Sequence, residues 1–218
     1  MISTTKIVKK LEKHSDSIRV VSFDIFDTLL DRRIPDAYVS RIAADILVRQ
    51  YPNTANAEQI LQSRTRYRLA HEKSGTPWLL SAWLAHWANE NGLSGSLVIE
   101  AGCQAELSAE CAGLDLVDGA PGLLRHIKSS GYTVIATSDM WLDSDWLNKL
   151  LVSFGLVFDR VYSSGTVKKN KRKGDIFAFI ENDISRPAKA FLHIGDNVLN
   201  DVVRPRQAGW KSLWMPQK

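Results

Sequence analysis

Acidic residues recur in this chain where apolar runs end. The segment RVVSFDIFDTLL (19–30) passes from an apolar run into Asp24-Ile25-Phe26-Asp27-Thr28. TVIAT (133–137) runs into Ser138-Asp139, and the apolar run 190–194 runs into Gly195-Asp196-Asn197, with Asn200-Asp201 close behind. A basic loop, Val167-Lys168-Lys169-Asn170-Lys171-Arg172-Lys173-Gly174, precedes Asp175-Ile176-Phe177. Carboxylates meeting at one place repel unless a cation or a lysine stands among them. Aspartate oxygens with few other donors suit Mg²⁺, a hard cation that keeps several waters and favours phosphate. A hydroxyl at Ser138 and an ammonium at Lys171 would hold phosphoryl oxygens and offset their charge. A carboxylate can also attack as a nucleophile.

These residues act together only if the elements around them deliver them to one edge. Residues 19–30 are rich in β-branched and aromatic side chains and read as a buried strand running into a loop. From about Pro35 to Gly113 the pattern is helical, with no convincing strand. One helix opens at Ile34-Pro35-Asp36 with proline in its first turn, a second spans 57–73, a third starts at Thr76-Pro77, and a fourth spans 97–112. The third helix is expected to carry Trp78, Trp83 and Trp87 on roughly one face, as core of the helical block. After Gly113 helices (120–130, 143–154, 174–182, 198–208) alternate with strands (133–137, 160–163, 190–194, 211–215). That alternation predicts an α/β fold, a doubly wound parallel sheet covered on both faces. The expected division is a core over about 1–33 and 117–218, with 34–116 inserted as an all-helical cap. In open parallel sheets ligands bind at the carboxyl ends of the strands, where the aspartates fall.

Composition bounds the partners. The chain has 218 residues, 44% hydrophobic and 24% charged, the balance of a globular protein rather than a disordered or fibrous one. A net charge of +4 is too weak to argue for nucleic acid, and the basic run 168–173 has no interleaved aromatic residue that would stack on bases. No apolar run approaches the roughly 20 residues that cross a bilayer, and the polar first 16 residues lack a secretory apolar segment. The expectation is therefore a cytoplasmic protein without membrane or nucleic-acid partners. Cys103 and Cys111, on one helix, would lie about 12 Å apart along its axis, too far for a disulfide. The five histidines (14, 71, 86, 126 and 193) show no metal-binding spacing, and His193 reads as a satisfied core residue. Arg64, Arg66 and Arg68 could reach an anionic substrate, although one helix cannot point all three into a cleft.

Four motifs occur in order: Asp24-x-x-x-Thr28, Ser138, Lys171-x-x-Gly174-x-x-Phe177 and Gly195-Asp196-x-x-x-x-Asp201. Together they resemble the haloacid dehalogenase (HAD) superfamily of hydrolases, over nearly the whole chain. The resemblance implies Asp24 as nucleophile and metal ligand, and Phe26 as donor to Mg²⁺ through its backbone carbonyl. It implies Asp196 as direct metal ligand and Asp201 as an outer or water-mediated partner. Thr28, Ser138, Asp139 and Lys171 would hold the phosphoryl group, and Lys171 would orient Asp24. Among the loop lysines only Lys171 has the glycine and phenylalanine at matching offsets. The implied activity is Mg²⁺-dependent hydrolysis of a small phosphorylated metabolite, a sugar phosphate among the candidates, through an aspartyl-phosphate on Asp24.

One position departs from the pattern. Phosphatases of the superfamily usually carry a second aspartate two residues after the nucleophile as general acid and base, and here that position is Phe26. Losing such a group costs roughly 10²–10⁴ in rate unless another replaces it. Asp27 or a cap residue could do so. Dehalogenases of the superfamily have an aromatic residue at this position, but they lack the Gly195-Asp196 metal motif present here. The alternatives are a dehalogenase- or phosphonatase-like hydrolase, and a catalytically weak module that binds a phosphorylated ligand or partner. Simpler roles exist for some of these residues. Asp196 and Ser138 can cap helices, and Asp27 can hydrogen-bond its own loop.

Overall fold

β1 (Val20–Phe23) is buried along its whole length and forms the middle of a five-stranded sheet in the order β5-β4-β1-β6-β7. Its neighbours are β4 (Thr133–Ser138) and β6 (Phe191–Gly195), with β5 (Arg160–Ser163) and β7 (Lys211–Trp214) at the edges. Every pairing in this sheet is parallel, Val20 lying opposite both Thr133 and Phe191. The carboxyl ends of β1, β4 and β6 therefore open on one rim. This is the expected α/β sheet, flanked by helices. The computed structural model describes residues 4–13 and 16–216; His14 lies outside them.

Helix α1 (Thr4–Lys13) buries Ile7 and Leu11. Four helices fill residues 36–113, between β1 and β4: α2 (Asp36–Gln50), α3 (Ala57–Ser74), α4 (Leu80–Glu90) and α5 (Gly95–Gly113). α3 starts in a capping box between Asn56 and Gln59 and stops at Gly75, whose φ of 68° suits glycine. Their apolar faces bury Leu47, Ile60, Trp83, Leu84, Trp87 and Val98. A two-stranded antiparallel ribbon closes the base of this block: β2 (Leu30–Arg32) leads in and β3 (Leu114–Leu116) leads out. Strands of three residues carry too little periodicity to read from sequence.

The second half alternates as expected. It contains α6 (Ala120–Ser129), α7 (Ser144–Ser153), the single turn α8 (Ser164–Val167) and α9 (Asp175–Ile184). Two differences from expectation bear on the site. Helix α4 begins at Leu80, so Trp78 stands outside it, in an extended lead-in. The segment expected as one helix over 198–208 is a π-helical turn, Val198–Val203, followed by α10 (Arg204–Gln207). The wider turn lies where Asp201 is buried and its carboxylate accepts from the Asn197 N–H at 2.9 Å. Such bulges are frequent at functional sites. Both cysteines lie on α5 as free thiols. Among the described residues no helix is long and apolar enough to cross a membrane.

Candidate active site

Three motif ends meet at the rim. Asp24 follows β1, its N–H still bonded to the Ile194 carbonyl of β6 at 2.8 Å. Asp196 follows β6, and Asp201 returns beneath it from the π-turn. One carboxylate oxygen from each of these residues lies within 4.8 Å of the others. The approach is close enough to dictate a glycine, because a Cβ at residue 195 would stand 2.5 Å from the Asp201 carboxylate. The Lys171 ammonium enters from the loop before α9 and donates to Asp24 Oδ1 and Asp201 Oδ1, both at 2.6 Å. Three carboxyl groups thus face one ammonium, an excess of two acidic groups.

The electrostatics follow from burial and neighbours. Burial pushes the Asp24 carboxyl up to about 7, with Asp201 and Asp196 adding to the rise and Lys171 opposing it. Burial also works to raise Asp201, but Lys171 and His193 outweigh it and hold that group below the usual carboxylate range. Asp196 is raised by burial, then by Asp201, with Asp27 contributing. Burial disfavours a charged Lys171, yet Asp24 and Asp201 keep its ammonium above the ordinary lysine value.

The loop that presents Lys171 is braced by its own side chains. Asp139 accepts from the backbone N–H groups of Lys171 (2.8 Å) and Arg172 (3.3 Å). Asp175 accepts from Asn170 N–H, Asn170 accepts from Lys173 N–H, and Gly174 takes a φ of 83°. The Asp139 carboxylate is therefore spent on the loop, which leaves its backbone rather than its side chain for an anion. Lys173 turns away and donates to the Gly75 carbonyl at the end of α3. Thr28 donates to Asp196 Oδ1 at 3.3 Å. Ser138 is buried as the last residue of β4, in register with Ser163. Phe26 is half-buried, with the Arg32 guanidinium 4.7 Å from its ring centroid. Asp27 adopts a left-handed φ of 59° and accepts weakly from Arg32 N–H at 3.5 Å.

Two clefts of about 550 and 420 Å³ lie on either side of residues 139–141, which line both. Trp78, Arg172 and Lys173 belong to the larger, and Phe26, Asp27 and Arg32 to the smaller. Trp78 stacks on Trp141 with centroids 5.6 Å apart; it is buried in the core as expected, and it also lines the larger cleft. The expectation for the arginines of α3 is corrected. Arg64 is buried in a bidentate pair with Glu106 (2.7 and 2.6 Å), Arg66 is exposed, and Arg68 pairs with Glu72 along the helix. Ser22, Thr137 and His193 escape the sequence reading as site residues. Their signal is a polar residue within the apolar runs of three strands that turn out to be neighbours.

A parallel α/β sheet with an acidic cluster and one lysine at its carboxyl rim defines the class: a Rossmann-like protein with a rim site. Comparison with known proteins narrows it. The chain belongs to the haloacid dehalogenase-like hydrolase family, whose model matches residues 18–209. Solved structures share the fold. A 2-haloacid dehalogenase from Pseudomonas syringae pv. Tomato DC3000 is 20% identical, with 90% of this chain and 86% of that one covered and a TM-score of 0.62. A protein described as a predicted phosphoglycolate phosphatase from Haemophilus somnus 129PT is 14% identical (92% and 86% covered, TM-score 0.57). A protein named as a HAD-hydrolase, YfnB from Bacillus subtilis, solved bound to magnesium, is 20% identical (91% and 89% covered, TM-score 0.56). No curated protein matches the chain.

Proposed function

We propose that the chain is a Mg²⁺-dependent phosphohydrolase of small phosphorylated metabolites, with Asp24 as nucleophile and the helical insertion 34–116 as a cap over the site. The observation that carries this reading is the convergence of Asp24, Asp196 and Asp201 within 4.8 Å around the Lys171 ammonium. The donor set fits Mg²⁺: hard oxygens, with two acidic groups in excess of the one ammonium. Asp24, Asp196 and the Phe26 carbonyl would hold the ion, and Asp201 would support it from outside. Once bound, Mg²⁺ would polarise the phosphoryl oxygens and offset their charge.

The chain's own groups do the rest. Asp24 attacks phosphorus and the bond to the leaving oxygen breaks, giving an aspartyl-phosphate. Lys171, Thr28, the Ser138 hydroxyl and the backbone at Asp139 hold the phosphoryl oxygens. Asp27 takes the acid–base role left open by Phe26. It lines the smaller cleft, and its charge is felt at Asp196. Asp27 protonates the leaving oxygen, then accepts the proton of the water that attacks the intermediate, releasing phosphate and restoring Asp24. The cap excludes water and selects the substrate.

The test is Asp24→Asn with Mg²⁺ and an aryl phosphate. Turnover is expected to fall at least about 10³-fold, as for loss of other nucleophiles; turnover equal to the parent's would remove Asp24 from the mechanism. Asp27→Asn should cost roughly 10²–10⁴ on alkyl phosphates and much less on aryl phosphates, whose leaving groups need no proton. A uniform loss would assign the acid–base role elsewhere. Phe26 favours a second reading, hydrolysis of a carbon–halogen bond by the same nucleophile; halide release without metal would select it. A third reading, a module that binds a phosphorylated ligand without turnover, predicts tight calorimetric binding and no product.

A further inference from the structure

Three polar side chains sit fully buried in the middle of the sheet: Ser22 on β1, Thr137 on β4 and His193 on β6. An unpaired polar group there would cost about 1–3 kcal/mol. Each one is paired, and the pairs form a single chain that ends in the rim site. Thr137 Oγ1 lies 2.9 Å from Ser22 Oγ, and Ser22 Oγ lies 2.8 Å from His193 Nδ1. His193 Nε2 lies 3.1 Å from Asp201 Oδ1, the same oxygen that receives the Lys171 ammonium. Ladder pairing places Ser22 directly opposite His193, so the sheet register itself brings the two together.

One end of the chain fixes its direction. Asp201 is held ionised by Lys171 on Oδ1 and by the Asn197 N–H on Oδ2, so it can only accept. Nε2 must therefore carry a proton. The ring has no exposure and the Lys171 ammonium stands nearby, which together disfavour a second proton. Nδ1 is then bare and accepts from the Ser22 hydroxyl. With its one proton committed, Ser22 accepts from Thr137. Phe177 packs edge-on against the imidazole, with centroids 5.9 Å apart, and limits its rotation.

We infer that His193 is a positioning residue for the rim site: with Nδ1 held by Ser22 and Thr137 behind it, its Nε2–H holds Asp201 Oδ1 where that oxygen anchors Lys171 and supports a divalent cation. The inference rests on the hydrolase reading for its purpose, although not for its geometry.

The first measurement needs no variant. In ¹⁵N-histidine-labelled protein at pH 7 without Mg²⁺, long-range ¹H–¹⁵N correlation should show His193 with Nε2 protonated and Nδ1 bare. The opposite tautomer or a doubly protonated ring would overturn the inference. The second measurement is Mg²⁺ binding by calorimetry to His193→Phe, which keeps an aromatic ring and loses the donor, and to His193→Gln, which restores an N–H. Supporting partners of metal ligands typically account for 10–100-fold in affinity, so His193→Phe should weaken Mg²⁺ binding by about that factor and His193→Gln should recover most of it. Equal affinities in parent and His193→Phe would reduce His193 to packing. If His193→Phe does not fold, the parent spectrum and the His193→Gln affinity decide. Unchanged turnover in Asp24→Asn would defeat the hydrolase reading and leave both measurements on His193 as informative as before.

Discussion

Two groups of buried charges occupy this protein, and they are built on opposite accounts of charge. In the helical block, Arg64 meets Glu106 in a two-point pair that also accepts the Trp141 indole N–H at 2.7 Å, and Arg32 meets Glu110 at 3.0 Å. Two guanidinium groups answer two buried carboxylates. At the sheet rim, three carboxylates share one ammonium. Burial has opposite outcomes at Glu106 and at Asp24. It works to raise Glu106, but Arg64 outweighs it and the carboxyl ends below its ordinary value. At Asp24 burial wins and the carboxyl is pushed up to about 7. A balanced cluster lowers its own energy within the fold. At the rim three acidic groups face one ammonium, and that excess of acid points to the rim rather than the helical block as the candidate ligand site.

The balanced cluster should be the more costly to break. Arg64→Met would strand Glu106 and destabilise the chain by about 3–5 kcal/mol, whereas adding Glu106→Leu should recover most of the loss. Denaturant titration of the single and double variants measures both, and a small loss in the single variant would contradict the contrast. At the rim the cost should appear in turnover. Lys171→Met is expected to lower it by about 10²–10³-fold and to make stability more dependent on added Mg²⁺. A variant as stable without Mg²⁺ as with it would mean that the three carboxylates do not repel. Glu110 tests the edge of the comparison, because its Oε1 has no partner and burial pushes it up to about 7 against the pull of Arg32. Between its unfolded value of 4.5 and about 7, the folded chain keeps a proton that the unfolded chain has released. Parent stability therefore falls as pH rises through that window, by up to about 3 kcal/mol. Glu110→Gln cannot lose this proton, so its melting temperature relative to the parent's should climb from pH 4.5 to 7 and then level off. A flat difference would show that Arg32 keeps the carboxylate ionised.

The legible parts of the molecule were those with long, regular signals. β1, β4 and β6 are apolar runs bounded by polar turns, and α3 carries its own stop at Gly75. Asp24, Lys171, Asp196 and Asp201 were each legible as types at strand ends or in a loop. Trp78 was misplaced because its spacing from Trp83 fits a helix, while the chain there is drawn across to stack on Trp141 and donates Leu80 N–H to the Trp141 carbonyl at 2.8 Å. Gly165 makes that approach possible, since a Cβ there would meet the Trp78 carbonyl at 2.8 Å. Arg64 looked like a free cation because nothing in the local sequence announces Glu106, 42 residues away. His193 was rightly read as satisfied, but its partner could not be guessed.

Local chemistry alone settled the longer strands and helices, since alternation and capping act over a few residues, and it settled which carboxylates end the strands. Tertiary structure decided the charge count around each of them. Whether a buried acid is answered by an arginine from another helix or left to share one lysine depends on register and packing between distant segments. Those distances, measured through space and not along the chain, set the electrostatic energies that separate a structural ion pair from a site.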